Sequence, residues 1–403
     1  MTSFLQFLLL LSILLLTAKL AGYAAMRLGQ PSVLGELLVG VLLGPSALNL
    51  FHWPVFTAAE ELQQMVSELG EIGVLLLMFV AGLELHLSEL RSNFRVSIWA
   101  GTLGVLGPVL MGLLIGAVFG METAPAIFLG LVMAATSVSI SAQTLIEMKM
   151  LKSRLGLGLL GAAVLDDVLV ILFLSVFFAF NSGAASWVQI VLVGLRMFLF
   201  FGLSFAFGFW VLPWLVSLTK RLAISQGTLT LALLVLFAYA LAAELLGQMA
   251  AITGAFLAGL MFARTPAKEI LDSRISALAY GFFVPLFFVG IGLKTAFSFH
   301  AETFSLTLVV VLGALVSKAL GAALGAKAAG FSWAEGTQLG AGMISRGEVG
   351  LIVASAGERA GLVTETEFAA VVAMVLVSTL VTPPLLRLSL QLPATFLTPK
   401  EKK

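Results

Sequence analysis

The chain has 403 residues, of which 60% are hydrophobic and 11% charged, with a formal net charge of +1. A soluble domain carries roughly 25% charged residues, so this chain cannot cover itself with a polar skin, and lipid must be its outer solvent. It has no cysteine, which excludes disulfides and thiolate metal sites, and no hydrophilic stretch long enough for a nucleotide-binding or ligand-sensing domain. Nothing in the charge pattern supports nucleic-acid binding.

A helix needs about 20 mostly apolar residues to cross the hydrocarbon core. Apolar runs of that kind predict about 13 membrane segments, at 2–26, 31–48, 69–87, 96–120, 125–148, 155–180, 186–217, 226–246, 249–264, 275–294, 304–329, 333–359 and 366–389. In the first segment the apolar run Phe4–Leu16 precedes the first basic residue, Lys19. A secretory signal has the reverse order, so this segment reads as a retained helix. Segment 9 is short and close to segment 8, which makes 12 the alternative count. His52, His86 and His300 are widely spaced and form no metal-ligand cluster.

Basic residues at and beyond the segment ends alternate with the count. After odd-numbered segments stand Arg27, Arg91, Arg95, Lys149, Lys152, Arg154, Lys220, Arg221, Arg264, Lys268, Arg274, Lys327, Arg387, Lys400, Lys402 and Lys403. After even-numbered segments stand only Lys294 and Arg359. Basic residues favour the cytoplasmic side, so the N-terminus is expected outside and the C-terminus in the cytoplasm.

A weak internal repeat accompanies this pattern. Met78–Leu83 resembles Phe288–Leu293 at an offset of 210, which also places Gly130 on Gly340 and Met133 on Met343. Gly35 and Gly40 match Gly254 and Gly259 at an offset of 219. Within the single transporter unit 1–403, residues 1–180 (segments 1–6) then pair with 223–403 (segments 8–13), and 181–222 is a linker helix. Paired segments are seven apart, an odd number, so the halves are inverted in the membrane, as in many secondary transporters.

Five ionisable residues lie deep in apolar runs: Asp166, Asp167, Lys318, Arg346 and Glu348. Each costs roughly 2.5–3.5 kcal/mol at a helix centre on insertion scales, so stability alone does not select them; a buried structural ion pair is the competing reading, strongest for Arg346. Asp166 and Asp167 are adjacent and face different directions on a helix. One can meet a fixed cation, for which Lys318 is the natural choice, while the other faces a water-filled cavity. Burial penalises the charged form of each group and pairing restores it, a balance suited to proton coupling. Segment 5 carries Ala134-Ala135-Thr136-Ser137-Val138-Ser139-Ile140-Ser141, and segment 12 carries Gly340-Ala341-Gly342-Met343-Ile344-Ser345-Arg346-Gly347-Glu348-Val349-Gly350. Both are small and polar midway, so both are expected to be interrupted helices whose freed backbone ligates ions. Three acids against two bases leave a charge of −1, which one proton or one monovalent cation neutralises. Asp167, Thr136, Ser137 and backbone carbonyls offer the oxygen ligands that a hard ion such as sodium prefers.

These residues carry a family resemblance. Gln30–Gly40, Phe79–Glu84, Ala135–Val138, Gly161–Val168 and Arg346–Val353 are similar to the monovalent cation:proton antiporter-2 family, and resemble its NapA-type bacterial sodium/proton antiporters over essentially the whole chain. The resemblance implies an all-α polytopic membrane protein of about 13 transmembrane helices with an NhaA-like inverted repeat and two interrupted crossing helices. It implies no enzyme activity and no cofactor, but electrogenic exchange of sodium or lithium for protons, about two protons per sodium. It assigns sodium and proton binding to Asp167, helped by Thr136 and Ser137, pairs Asp166 with Lys318, and matches Arg346 and Glu348 to charged residues after the break in segment 12. Ser345 stands where the family often has proline. The resemblance also implies a homodimer in the inner membrane, serving pH homeostasis, in which a core of segments 3–5 and 10–12, with 6 and 13, moves against a dimer domain. A potassium/proton antiporter is the nearest alternative, and a sodium-coupled organic-acid symporter of similar fold the next. An intramembrane aspartyl protease is disfavoured because its carboxylates must meet face to face from two helices.

Overall fold

The computed structural model describes residues 1–28, 30–45, 47–85, 93–181, 187–221, 225–294, 304–359 and 361–391; a few helical side chains in these ranges, Glu348 among them, lie outside the description. His86, His300, Arg91, Lys400, Lys402 and Lys403 also lie outside it.

The described residues form helices and connecting turns, with no strand among them. In chain order these are α1 (Ser3–Arg27), α2 (Ser32–Leu43), α3 (Ala59–Leu83), α4 (Phe94–Phe119), α5a (Thr123–Ala134), α5b (Val138–Glu147) and α6 (Arg154–Asn181). There follow α7 (Trp187–Ala206, a π turn at Phe207–Val211, then Leu212–Arg221), α8 (Gly227–Leu245) and α9 (Ala251–Phe262). The last are α10 (Lys268–Leu278, a π turn at Ala279–Phe283, then Val284–Leu293), α11 (Phe304–Ala328), α12a (Trp333–Gly342), α12b (Glu348–Arg359) and α13 (Glu365–Gln391).

Each expected segment is helical, but among the described residues ten are long and apolar enough to cross a membrane by themselves, not thirteen. The three others have physical reasons. α2 and α9 have 12 residues each, which at about 1.5 Å per residue reach only about 18 Å of a core about 30 Å thick. α12 is cut in two around Ser345 and Arg346. Two boundaries also differ. α3 begins at Ala59, ten residues before the expected start, because its first turns carry Glu60, Glu61, Gln63, Gln64 and Glu68 and lie outside the apolar window. α10 begins at Lys268 for the same reason, with Glu269, Asp272 and Arg274 in its opening turns.

Close packing divides the chain into two compact units. The first comprises Met1–His86, Phe201–Leu245 and Ala251–Phe297; the second comprises Leu87–Phe200, Leu246–Ala250 and Ser298–Lys403. α3 and α10 thus pack with α1, α2, α8 and α9. This corrects the expectation that segments 3 and 10 share a core with 4, 5, 11 and 12.

The reason is a set of glycine crossings in the first unit. A Cβ at Gly82 of α3 would run into the Phe256 carbonyl of α9, and one at Gly292 of α10 into the backbone of α2 at Gly40–Val41. Gly40 in turn rests on the Val289 carbonyl, and Gly259 of α9 on the Phe79 carbonyl. Gly35 meets Ala21 of α1 as Gly254 meets Tyr239 of α8. Leu10 and Leu14 of α1, Leu62 and Val66 of α3 and Leu286 and Leu293 of α10 fill the space around these contacts.

In the second unit α4 lies between α6 and α11. Gly101 faces the Ala162 carbonyl of α6 at 2.9 Å from an added Cβ, while Gly107 faces the Ser317 carbonyl of α11 at 2.7 Å. Gly321 and Gly325 of α11 return the contact, against the carbonyls of Leu103 and Trp99. Side chains at these points would push the helices apart. Phe128, Val132 and Met133 of α5a, Val310 and Ala314 of α11 and Val371 and Met374 of α13 form the apolar core beside them.

Candidate functional site

Two helix interruptions, two buried cations and the aspartates of α6 come together in the second unit. α5 breaks at Ala135–Ser137, where Ala135 (ψ 128°) and Ser137 (ψ 107°) leave helical geometry. α12 breaks between Gly342 and Glu348. The last carbonyls of a helix lack intrahelical donors and carry the negative end of its dipole, so each break exposes acceptors inside the protein.

At the first break the acceptor is Ala134 O. Lys318 Nζ donates to it at 2.7 Å and to Asp166 Oδ1 at 2.5 Å. Lys318 and Asp166 are both fully buried. The close approach of α4 to α11 and α6 makes this meeting possible, and the Lys318 ammonium lies 3.8 Å from the place a Cβ would take at Gly104. Thr136 Oγ1 also donates to Ala134 O, at 3.2 Å.

At the second break the cation is Arg346, also fully buried. One guanidinium nitrogen donates to Ile344 O at 2.7 Å and Met343 O at 3.2 Å, and the other to Ala314 O of α11 at 3.3 Å. Its own carbonyl accepts from Thr379 Oγ1 of α13 at 2.7 Å.

The two breaks cross. Ser137 N donates to Ser345 O at 2.9 Å, and Ser345 Oγ donates to Ser137 O at 2.6 Å. Ser141 Oγ donates to Gly342 O at 2.5 Å and lies 3.2 Å from Ser345 Oγ. A Cβ at Gly347 would fall 2.8 Å from Ser137 Cβ and Oγ, so glycine is required at the crossing. Of the backbone carbonyls at the break, that of Ser137 is held by Ser345.

Asp167 is buried, 6% exposed, as are Thr136 (2%) and Ser137 (3%). Ala134 and Ala135 at the break pack with Val170, one turn beyond Asp166 on α6. The structure therefore gathers Asp166, Lys318, Arg346, Thr136 and Ser137 around the crossing, with Asp167 next to Asp166 and about 100° round the helix from it. Glu348 begins α12b, and its side chain is outside the described residues. Glu36 is buried inside α2. Arg196 is exposed on α7.

Sequence reasoning missed Thr379 and the role of the Ala134 carbonyl; Ser141, Ser345 and Gly347 lay in the small polar runs that marked the breaks, without individual roles.

Such an arrangement suits charge exchange. Asp166 and Lys318 cancel, the carbonyls absorb the Arg346 charge, and Asp167 leaves one more buried carboxylate next to the pair.

Comparison with known proteins identifies the family and the fold. The transmembrane sodium/hydrogen exchanger family matches residues 12–390. The Na(+)/H(+)-K(+) antiporter GerN of Bacillus cereus is 38% identical over 382 residues, covering 95% of this chain and 96% of that protein. A Na(+)/H(+) antiporter of Enterococcus hirae is 36% identical over 383 residues, covering 95% and 97%. The solved structure of the sodium proton antiporter MjNhaP1 from Methanocaldococcus jannaschii matches the fold with a TM-score of 0.65 at 17% identity, covering 98% of this chain and 97% of that one. The helical segments among the described residues, the two crossing breaks and these matches lead to one conclusion: the chain belongs to the sodium/hydrogen exchanger family of multi-pass membrane proteins.

Proposed function

We propose that this protein exchanges sodium or lithium for protons by alternating access, with Asp167 as the shared binding group. The observation that carries this reading is the fully buried Asp166–Lys318 pair at the end of α5a, adjacent to Asp167. A carboxylate crosses a low-dielectric barrier only when neutralised, so Asp167 travels with a sodium ion or with a proton. A second proton leaves Lys318 when sodium binds and returns when it departs, which makes the exchange electrogenic at about two protons per sodium. Thr136 and Ser137 add hydroxyl ligands, and Glu348 completes the charge balance.

The glycine crossings support an inverted repeat of 1–180 against 223–403, joined by the linker 181–222. The pairs Gly40–Val289 and Gly259–Phe79 are related by the shifts of 219 and 210 found in sequence, and Gly130–Val109 and Gly340–Ala319 by 210. Each compact unit draws three segments from each half. We assign movement to the second unit as the carrier of the ion site. The protein works as a homodimer in the inner membrane, with its N-terminus outside and its C-terminus in the cytoplasm, and serves pH homeostasis. It needs no cofactor and catalyses no covalent chemistry.

The test is proton flux in proteoliposomes with a trapped pH dye, adding sodium, lithium and potassium in turn under a clamped voltage. Voltage-driven dequenching by sodium or lithium is expected. The printed name of the Bacillus cereus relative includes potassium, so a response to potassium alone would select a potassium/proton antiporter. No response to any of the three would turn the reading toward a sodium-coupled organic-acid symporter.

A further inference from the structure

Half-helix α5b holds a line of buried oxygens that the exchange reaction, as described, does not use. Val138 to Leu145 are all buried. Two of the hydroxyls are occupied, Ser141 by Gly342 O and Thr144 by Ile140 O at 2.8 Å. Ser139 Oγ, Gln143 Oε1 and, at the break, Ser137 Oγ are buried with no hydrogen-bond partner in the protein, as is Asp166 Oδ2. Gln143 Nε2 donates to Glu147 Oε1 at 2.8 Å. A carboxylate only accepts, so this bond fixes the amide nitrogen toward Glu147 and leaves the carbonyl oxygen as the end without a donor.

Ser139, Gln143 and Glu147 are four residues apart, so they share one helix face with a rise of about 6 Å per step. From Ser137 to Glu147 the rise is about 15 Å, half the thickness of a hydrocarbon core of about 30 Å. An unsatisfied buried polar group costs about 1–3 kcal/mol. Apolar residues of similar size would remove that cost, yet Ile140, Ala142 and Leu145 occupy only the intervening positions. Within α5b the orphan oxygens, Ser139 Oγ and Gln143 Oε1, both lie on this one face.

We propose that the Ser139–Gln143–Glu147 face of α5b is a conduit for a partly hydrated monovalent cation. The Glu147 carboxylate collects the ion, and the Gln143 carbonyl and the Ser139 and Ser137 hydroxyls replace its water stepwise on the way to Asp167. All are hard oxygen ligands. By the loop charges the conduit opens to the cytoplasm. This inference rests on the proposed exchange function.

The absence of native cysteine makes the test direct. Ser139→Cys, Gln143→Cys and, as controls, Ser141→Cys and Ala142→Cys are reconstituted at full length and treated with a cationic, membrane-impermeant methanethiosulfonate. The conduit requires the first two to react at least tenfold faster than the controls, with sodium slowing the reaction and choline leaving it unchanged. Equal reactivity at 139, 142 and 143, or labelling indifferent to sodium, overturns it. Gln143→Leu, a milder change, should raise the KM for sodium more than it lowers kcat; an unchanged KM counts against the conduit. Labelling needs no turnover. Sodium protection without any sodium-driven proton flux would keep the conduit and sink the exchange reading, while flux without protected labelling would do the opposite.

Discussion

At the end of α5a Lys318 divides its ammonium between a backbone carbonyl and the Asp166 carboxylate. At the end of α12a Arg346 spends its guanidinium on the carbonyls of Met343, Ile344 and Ala314. Both cations are fully buried, and both neutralise the negative end of a half-helix. The difference lies in the second partner. Carbonyls do not titrate, so Arg346 fixes a shape. A carboxylate is the other kind of partner, and it is at the Lys318 pair that the proposed exchange places its extra proton. Under the proposed exchange lysine, which can give up its proton, suits the switching position, and arginine, which stays charged, suits the fixed one.

The largest effect expected is at Asp167. Asp167→Asn should reduce sodium-driven proton flux to the liposome background while the protein remains folded by gel filtration. Next, Lys318→Ala should destabilise the detergent-solubilised protein by about 3–5 kcal/mol, because it strands a buried carboxylate. Adding Asp166→Asn should recover much of that loss in a double-mutant cycle, and an additive double mutant would contradict the pairing. Arg346→Gln should cost about 3 kcal/mol, the value of one or two charge-assisted hydrogen bonds, with no rescue by Asp166→Asn. A shared rescue would erase the distinction between the two breaks. Gly321→Ala should cost about 1–3 kcal/mol by overpacking against the Leu103 carbonyl, read as a lower unfolding temperature. The smallest effect, about 1 kcal/mol, is expected for Ser345→Ala, which removes the hydroxyl bond to Ser137 O.

Much of the fold was legible because a charge inside an apolar run is conspicuous. Asp166, Asp167, Lys318 and Arg346 stood out by cost, and the small polar runs at Thr136 and Ser345 marked both breaks. The start of α3 at Ala59 was hidden because polar opening turns leave no apolar signal. The membership of α3 and α10 was hidden because Gly82 and Gly292 act through the backbone that they touch, not through their own chemistry. The same holds for the site: the Ala134 carbonyl that anchors Lys318 and the Ser141–Gly342 bond depend on which backbone groups a break leaves open.

The central claim is that Asp167 carries the ion while the Asp166–Lys318 pair supplies the extra proton. Sodium-driven currents on solid-supported membranes, with Lys318→Gln beside the unmodified protein, test it most directly. A current in the unmodified protein, and sodium-driven proton flux without current in Lys318→Gln, is the expected result. An unchanged current in Lys318→Gln would contradict the account.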